Sequence, residues 1–517
     1  MSLRLLQAIA IATALFSTAA QAAPVTVEGG QVEGTVEAAL AVYKGIPFAA
    51  PPTGANRWRE PQPVPAWSGT RRADRFAPAC MQNGVSMPGE TPPQISEDCL
   101  YLNVWTPAAA PAGRLPVLVW IYGGGFSNGS AAMPLYWGDA LARKGIVVVT
   151  VAYRVGAFGF LSHPELTRES PHASSGNYGL LDQIAALKWV QRNIAAFGGD
   201  PARVTIAGQS AGAMSVSILM ASPQARGLFH RAIGQSGGFF EPVQIAPGYL
   251  LANAEREGEA FAKSLGAPSL TALRALPAER VLDGKLPSGA HPVIEPYVLP
   301  ATPYDIFHAG KQAAVPVLLG ANAEEARALT DVGNVRAATF AADIEKSFGK
   351  LPPQLYEQYP HATDAEAQRA RIAFESDLRF RWDMWTWARL HRTSSKSNVF
   401  FYRFDHAPPF SAGSPRAGWG ASHFAELWYV FNHLDQEPWR WNAADRRLAD
   451  QMSSYWVNFV KAGDPNESGL PPWPQFDADL GPELTLADPV APGPIDNVAR
   501  LQVFDQVYTQ LRGMPLR

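Results

Sequence analysis

The sequence predicts an α/β protein, a parallel or mixed sheet with helices packed against it. Two observations carry this. Short apolar, β-branched runs recur along the chain, as strands buried on both faces require. Segments with helical periodicity lie between them, so strand and helix alternate rather than segregate. The chain has 517 residues, 47% of them hydrophobic and 17% charged, which is enough apolar material for one large core.

In chain order, PVLVWIY (116–122) and GIVVVTVAY (145–153) are the first such runs. LLDQIAALKWVQRNIAAF (180–197) then places Leu180, Leu181, Ile184, Leu187, Val190 and Ile194 on one helical stripe, and Gly198-Gly199 end it. RVTIA (203–207) is again a strand, followed by AGAMSVSILMA as a helix. PVLLG (316–320) and NVFFYRF (398–404) supply two later strands. No internal repeat or low-complexity linker divides the chain, so residues 23–517 are read as a single domain.

Residues 1–22, MSLRLLQAIAIATALFSTAAQA, have Arg4 near the start, an apolar run from Leu5 to Phe16 and Ala20-Gln21-Ala22 at the end. That is the form of a secretory signal cleaved after Ala22. The apolar run is shorter than the ~20 residues a spanning helix needs. The expected protein is therefore secreted or periplasmic, with no stable membrane anchor. Formal net charge is −3, which provides no basic footprint for nucleic acid or anionic lipid. Only Cys80 and Cys99 are present. In an oxidising compartment they are read either as a disulfide closing a short loop or as two buried free thiols. No Cys/His cluster has zinc spacing and no His-Glu-x-x-His occurs, so neither metal nor cofactor is expected.

The pattern Gly-x-Ser-x-Gly occurs at GFSNG (125–129), GQSAG (208–212) and GQSGG (234–238). It presents a nucleophile when a strand enters it and a helix leaves it, because the serine then sits on a strained turn with its oxygen clear of the sheet. Ser210 meets both conditions. Ser127 lies in a stretch too rich in Gly, Ser and Asn to open a helix. Ser236 follows the short strand RAI, but GGFFEP breaks any helix after it. Ser210 is the expected nucleophile.

Several stretches together are similar to the type B carboxylesterase/cholinesterase family of α/β-hydrolases. They are YKGIPFAAPPTGANRWREPQP (43–63), SEDCLYLNVWTP (96–107), YGGGF (122–126), the region around GQSAG from SSGNYGLLDQ onward, FHRAIGQSG (229–237) and WVNFVKAGDPN (456–466). The ordered set runs over nearly the whole chain. The resemblance implies an α/β-hydrolase fold: a central mostly parallel sheet, helices on both faces and long cap or loop insertions. It also implies a serine carboxylesterase acting on a small-molecule ester without a cofactor.

A serine hydroxyl needs an imidazole held by a carboxylate, in the chain order Ser, Asp/Glu, His. Gly420-x-x-His423-x-x-Glu426 is similar to the family's catalytic histidine segment. GANAEEA (320–326) ends a strand where such sites form, and the family's Asn-x-Asp-Glu-Gly aligns its acid with Glu325. The sequence departs there at Glu324 and Ala326, leaving Glu324 as the neighbouring alternative. By resemblance, the backbone N–H groups of Gly124, Gly125 and Ala211 form the oxyanion hole. Ser236 is expected to hydrogen-bond beside the acid and histidine, and Gln209 to stand next to the nucleophile. A Cys80–Cys99 bridge and the ion pairs Arg57–Glu97 and Arg154–Asp182 are implied too.

The loop between Cys80 and Cys99 carries no aromatic residue, so the tryptophan that stacks on choline in cholinesterases is missing. Gln209 replaces the family's common glutamate and removes a negative charge that would favour cations. Neutral or anionic esters are the expected substrates. A specialised esterase acting on a polyester, toxin ester or long-chain lipid is the alternative. A binding protein of the same fold is disfavoured because every catalytic position is retained. Trp382, Trp385, Trp387, Trp428-Tyr429, Trp439 and Trp441 are read either as helix–sheet packing or as a wall of the substrate cleft.

Overall fold

The structure, a computed structural model, describes residues 21–517 apart from 86, 88–89, 110–112, 478–479 and 514–517. Most of the predicted leader lies outside the described residues. Gln21 bridges to Thr35 and the Ala22 N–H donates to Gly34 O.

An eleven-stranded sheet runs through the molecule. Its strands are β1 (Thr35–Glu37), β2 (Leu40–Pro47), β3 (Tyr101–Pro107), β4 (Leu115–Ile121), β5 (Val147–Val151) and β6 (Gly199–Gln209). They continue with β7 (Arg231–Gln235), β8 (Val317–Asn322), β9 (Val399–Phe404), β10 (Glu483–Leu486) and β11 (Ala491–Gly493). The spatial order is β11-β10-β9-β8-β7-β6-β4-β5-β3-β2-β1. From β10 to β5 every neighbouring pair is parallel, and antiparallel pairs finish both edges. β5 is buried along its whole length and β4 over all but its first residue. This explains their unbroken apolar sequence: a central strand covered by helices on both sides has no wet face.

The helices that position the site are α1 (Tyr178–Asn193), α2 (Ala211–Ala221), α3 (Trp382–Ser394), α4 (Ala443–Ala462) and α5 (Val498–Arg512). α1 begins two residues before the predicted stripe. Its last turn tightens into a 3₁₀ segment, Ile194–Phe197, which Gly198 stops at φ +80°. α2 packs on β6, β4 and β7, α4 on β6 and β4, and α3 on β8 and β9. The antiparallel strands β1–β3 and the edge strands β10 and β11 were not among the elements read from periodicity. β2 has an irregular register between Tyr43 and Ile46, which interrupts the alternation a reader looks for.

Cys80 and Cys99 are joined as a disulfide across 19 positions. Arg57 and Glu97, beside this loop, form a two-pronged pair with 2.6 Å contacts. Arg154 and Asp182 form another at 2.8 and 2.7 Å, both nearly fully buried. The Arg154 main-chain N–H also donates to Asp182 at 2.9 Å, so this carboxylate ties β5's exit to α1. Among the described residues no helix is long and apolar enough to cross a membrane. Replacing both cysteines by serine is expected to lower the unfolding free energy by about 3 kcal/mol, since loop closure in the unfolded chain is lost. Urea unfolding of the two proteins, with midpoint and slope fitted separately, measures it.

Candidate active site

β6 ends at Gln209 and α2 begins at Ala211, so the whole change of direction falls on Ser210. Its backbone sits at φ 57°, ψ −127°, a conformation that a side chain-bearing residue adopts only under constraint, at about 1–3 kcal/mol. Three glycines supply the constraint. A Cβ at Gly208 would lie 2.4 Å from the carbonyl of Gly212, one at Gly212 would lie 2.1 Å from Ile121 O, and one at Gly237 would lie 2.4 Å from Ser210 O. Strand, helix and the neighbouring turn therefore meet at backbone contact. The Ser210 N–H donates to Gln235 O at 2.9 Å, which fixes the turn to β7.

His423 follows a loop that returns along the end of β8. Its Nδ1 lies 2.6 Å from Glu325 Oε2, with both residues buried. Glu325 Oε1 accepts the Asn322 main-chain N–H at 2.6 Å, and the His423 N–H donates to Glu325 O at 3.1 Å. Of the two adjacent glutamates, Glu325 faces the imidazole. Glu324 is partly exposed and pairs with Arg327. Both departures from the family pattern are thereby accommodated. Position 324 stays partly in solvent beside Gly420, and Ala326 lies in a 3₁₀ turn that needs no positive φ.

Ser210, His423, Gly124, Gly125 and Ala211 line one cavity of about 460 Å³. Gly124 and Gly125 have φ +114° and +58°, and a Cβ at Gly124 would meet Asn128 O at 2.3 Å. Ala211 is the first residue of α2, where a main-chain N–H has no partner within the helix. The three N–H groups sequence reading assigned to a developing anion thus belong to the wall that carries the serine.

One expectation is altered. Ser236 is fully buried, but its hydroxyl has no hydrogen-bond partner among the described residues. Position 236 contributes a sharp turn at φ +55° and an N–H donated to Gly320 O, not a side-chain hydrogen bond to the acid or the histidine. Gln209 is not among the residues lining the cavity. It is buried, with Nε2 3.1 Å from His423 Nε2 and 3.5 Å from Nδ1. Ser210 Oγ makes no hydrogen bond among the described residues, and such contacts commonly tighten only when substrate is bound.

Three groups escaped the sequence reading. Phe380 stacks on the His423 ring with centroids 4.4 Å apart. Asn322 Nδ2 donates to Ser422 O at 2.7 Å and to Glu426 Oε2 at 2.6 Å, binding the acid's turn to the histidine's loop. Glu426, present in the quoted His423 segment but given no role, is fully buried and accepts from Gln235 at 3.1 Å. Burial, followed by the charge of Glu325, pushes its carboxyl up to about 7. The Trp-rich stretches pack instead of lining this cavity. Trp382, Trp385 and Trp387 are buried on α3, while Trp428 faces a separate cavity of about 560 Å³ beneath the disulfide loop. The aromatics around Ser210 are Tyr249, Phe348, Phe380, Phe424 and Tyr508.

Two outcomes are expected. Gly212→Ala drives a methyl into Ile121 O and should cost about 3 kcal/mol by overpacking, seen as a lowered thermal midpoint. Glu426 binds its proton more tightly in the folded chain than in the unfolded one. It therefore contributes stability that is complete below about pH 4.5 and is lost as pH rises through about 7. Urea unfolding at pH 5 and pH 8 should show the wild type weakening relative to Glu426→Gln as pH rises, by a few kcal/mol at most.

The carboxylesterase family matches residues 21–495 of the chain. The chain is 39% identical over 487 residues to fumonisin B1 esterase of Sphingopyxis macrogoltabida, a match covering 90% of this chain and 86% of that protein. It is 34% identical over 490 residues to para-nitrobenzyl esterase of Bacillus subtilis (strain 168), covering 89% and 94%. Identity to carboxylesterase 1D of Rattus norvegicus is 35% over 496 residues, covering 86% and 84%. A solved PNB esterase structure superposes with a TM-score of 0.79 at 32% identity, over 93% of this chain and 99% of that one.

Proposed function

The chain belongs to the carboxylesterase family and is a carboxylic ester hydrolase; from that premise we propose that Ser210, His423 and Glu325 carry its reaction. The observation supporting this is a strained serine and an imidazole lining one cavity, with the imidazole's far nitrogen 2.6 Å from a buried carboxylate. Ser210 Oγ attacks the ester carbonyl while His423 Nε2 takes its proton. Glu325 holds the ring's orientation and stabilises its charged form. The tetrahedral intermediate's oxyanion is held by the N–H groups of Gly124, Gly125 and Ala211, where one lost donor is typically worth 10²–10³ in rate. His423 then gives its proton to the departing alcohol. Water attacks the acyl-enzyme by the same path and restores the serine.

In the resting arrangement the Gln209 amide lies against His423 Nε2. Substrate entry has to shift that contact toward Ser210. The enzyme is read as exported, secreted or periplasmic: residues 1–22 have the composition of a cleaved signal, and the Cys80–Cys99 bridge suits an oxidising compartment. A toxin ester stands as the specialised reading because one of the relatives is named for fumonisin B1.

Ser210→Ala should lower kcat by roughly 10⁴-fold or more while leaving the thermal midpoint near that of the wild type. An organophosphonate should label the wild-type chain once, at Ser210, and retained turnover in the variant would reject the assignment. A panel of esters that varies acyl length and alcohol size, with fumonisin B1 included, separates a general carboxylesterase from a specialised one.

A further inference from the structure

The cavity around Ser210 is walled mostly by apolar side chains, among them Met214, Ile245, Leu329 and Leu351, yet Arg379 lines it too. Arg379 belongs to a π-helical turn, Asp377–Arg381, between the helix Asp364–Ser376 and α3. Wide turns of this kind are concentrated at functional sites. Here the turn presses Phe380 onto His423 and leaves the Arg379 side chain about 40% exposed.

The charge on Arg379 is poorly balanced. Its acidic contact among the described residues is Glu375 at 3.4 Å, beyond the usual 2.7–2.9 Å of a charge-assisted bond. That same carboxylate is already held by Arg371 at 2.6 Å, so two guanidinium groups share one acid. Two further acids line the cavity, Glu241 and Asp383. Burial pushes the Glu241 carboxyl up, and burial together with the charge of Glu241 holds Asp383 far above its ordinary range. Glu241 also accepts the Tyr249 hydroxyl at 2.6 Å, and Asp383 accepts the Phe240 N–H at 3.2 Å. Arg512, stacked over the Tyr304 ring, lies beside this pair and offsets what charge it carries. The acids therefore do not cancel Arg379.

We propose that Arg379 is a substrate-recognising residue and that the preferred esters carry a carboxylate away from the scissile bond, paired with this guanidinium. The proposal rests on Ser210 being the nucleophile of this cavity. The reaction is unaltered: one water is consumed, the acyl C–O bond breaks to acid and alcohol, and the second carboxylate passes through unchanged. It can lie in the acyl part or in the alcohol, and both arrangements present the same chemistry to Arg379.

Three stable esters of comparable size test this with the full-length enzyme. Monobenzyl glutarate places the carboxylate in the acyl part, 4-(pentanoyloxymethyl)benzoate places it in the alcohol, and benzyl pentanoate is neutral. The wild type should prefer one charged ester over the neutral one by kcat/KM, with a preference that shrinks as salt is raised. In Arg379→Gln the ratio of charged to neutral kcat/KM should fall about ten-fold, chiefly through KM, with partial recovery in Arg379→Lys. Equal ratios in wild type and Arg379→Gln, or no wild-type preference for either charged ester, overturn the proposal. If Arg379→Gln does not fold, the salt dependence of the wild-type preference decides. Ser210→Ala separates the two claims: turnover surviving there sinks the nucleophile assignment, whatever the charge preference.

Discussion

The candidate active site depends on one steric condition, the approach of α2 to the end of β4 and β6 at backbone distance. Gly208, Gly212 and Gly237 leave no room for a Cβ, and Ser210 turns inside the space they define. Because the turn is over-determined from three sides, a backbone conformation that would relax in an isolated peptide persists. The same crossing delivers the first N–H groups of α2 to the side of the serine. Of the three N–H groups proposed to hold the oxyanion, that of Ala211 comes with this crossing, while Gly124 and Gly125 reach the same cavity from the loop after β4.

The imidazole and its acid are held differently, by hydrogen bonds between segments far apart in sequence. Asn322 is the junction: its main-chain N–H binds Glu325 and its side chain binds both Ser422 O and Glu426. Two buried carboxyls thus stand on one amide residue. Full ionisation of both would place like charges in a dry interior, and burial followed by the charge of Glu325 pushes the Glu426 carboxyl up. Gln209 completes this enclosure, so the His423 imidazole is touched by polar groups at both ring nitrogens.

How much of this was legible follows from the range of the interactions. The strand–turn–helix at 204–221 is local, so periodicity and glycine spacing were enough to single out Ser210 from three similar motifs. The central strands were legible because burial on both faces leaves a continuous apolar run. Glu325 was favoured over Glu324 only by the family resemblance, since the choice turns on which carboxylate meets the Asn322 N–H across a 3₁₀ turn. Gln209 was read as standing next to the nucleophile, and its contact with His423 had no signal because it joins positions 214 residues apart. Phe380, Arg379 and Glu241 had no signal at all. A π-helical turn leaves little mark in composition, and loop closure decides which distant segments meet at a cavity.

That division has a consequence for how such a molecule can change over generations. The parts proposed to make and break bonds are fixed by glycines and buried amides with little room for replacement. The surrounding walls are drawn from five separate segments, near 245, 329, 350, 379 and 508. New specificities can accordingly arise by exchanging those segments one at a time while the machinery beneath is inherited intact.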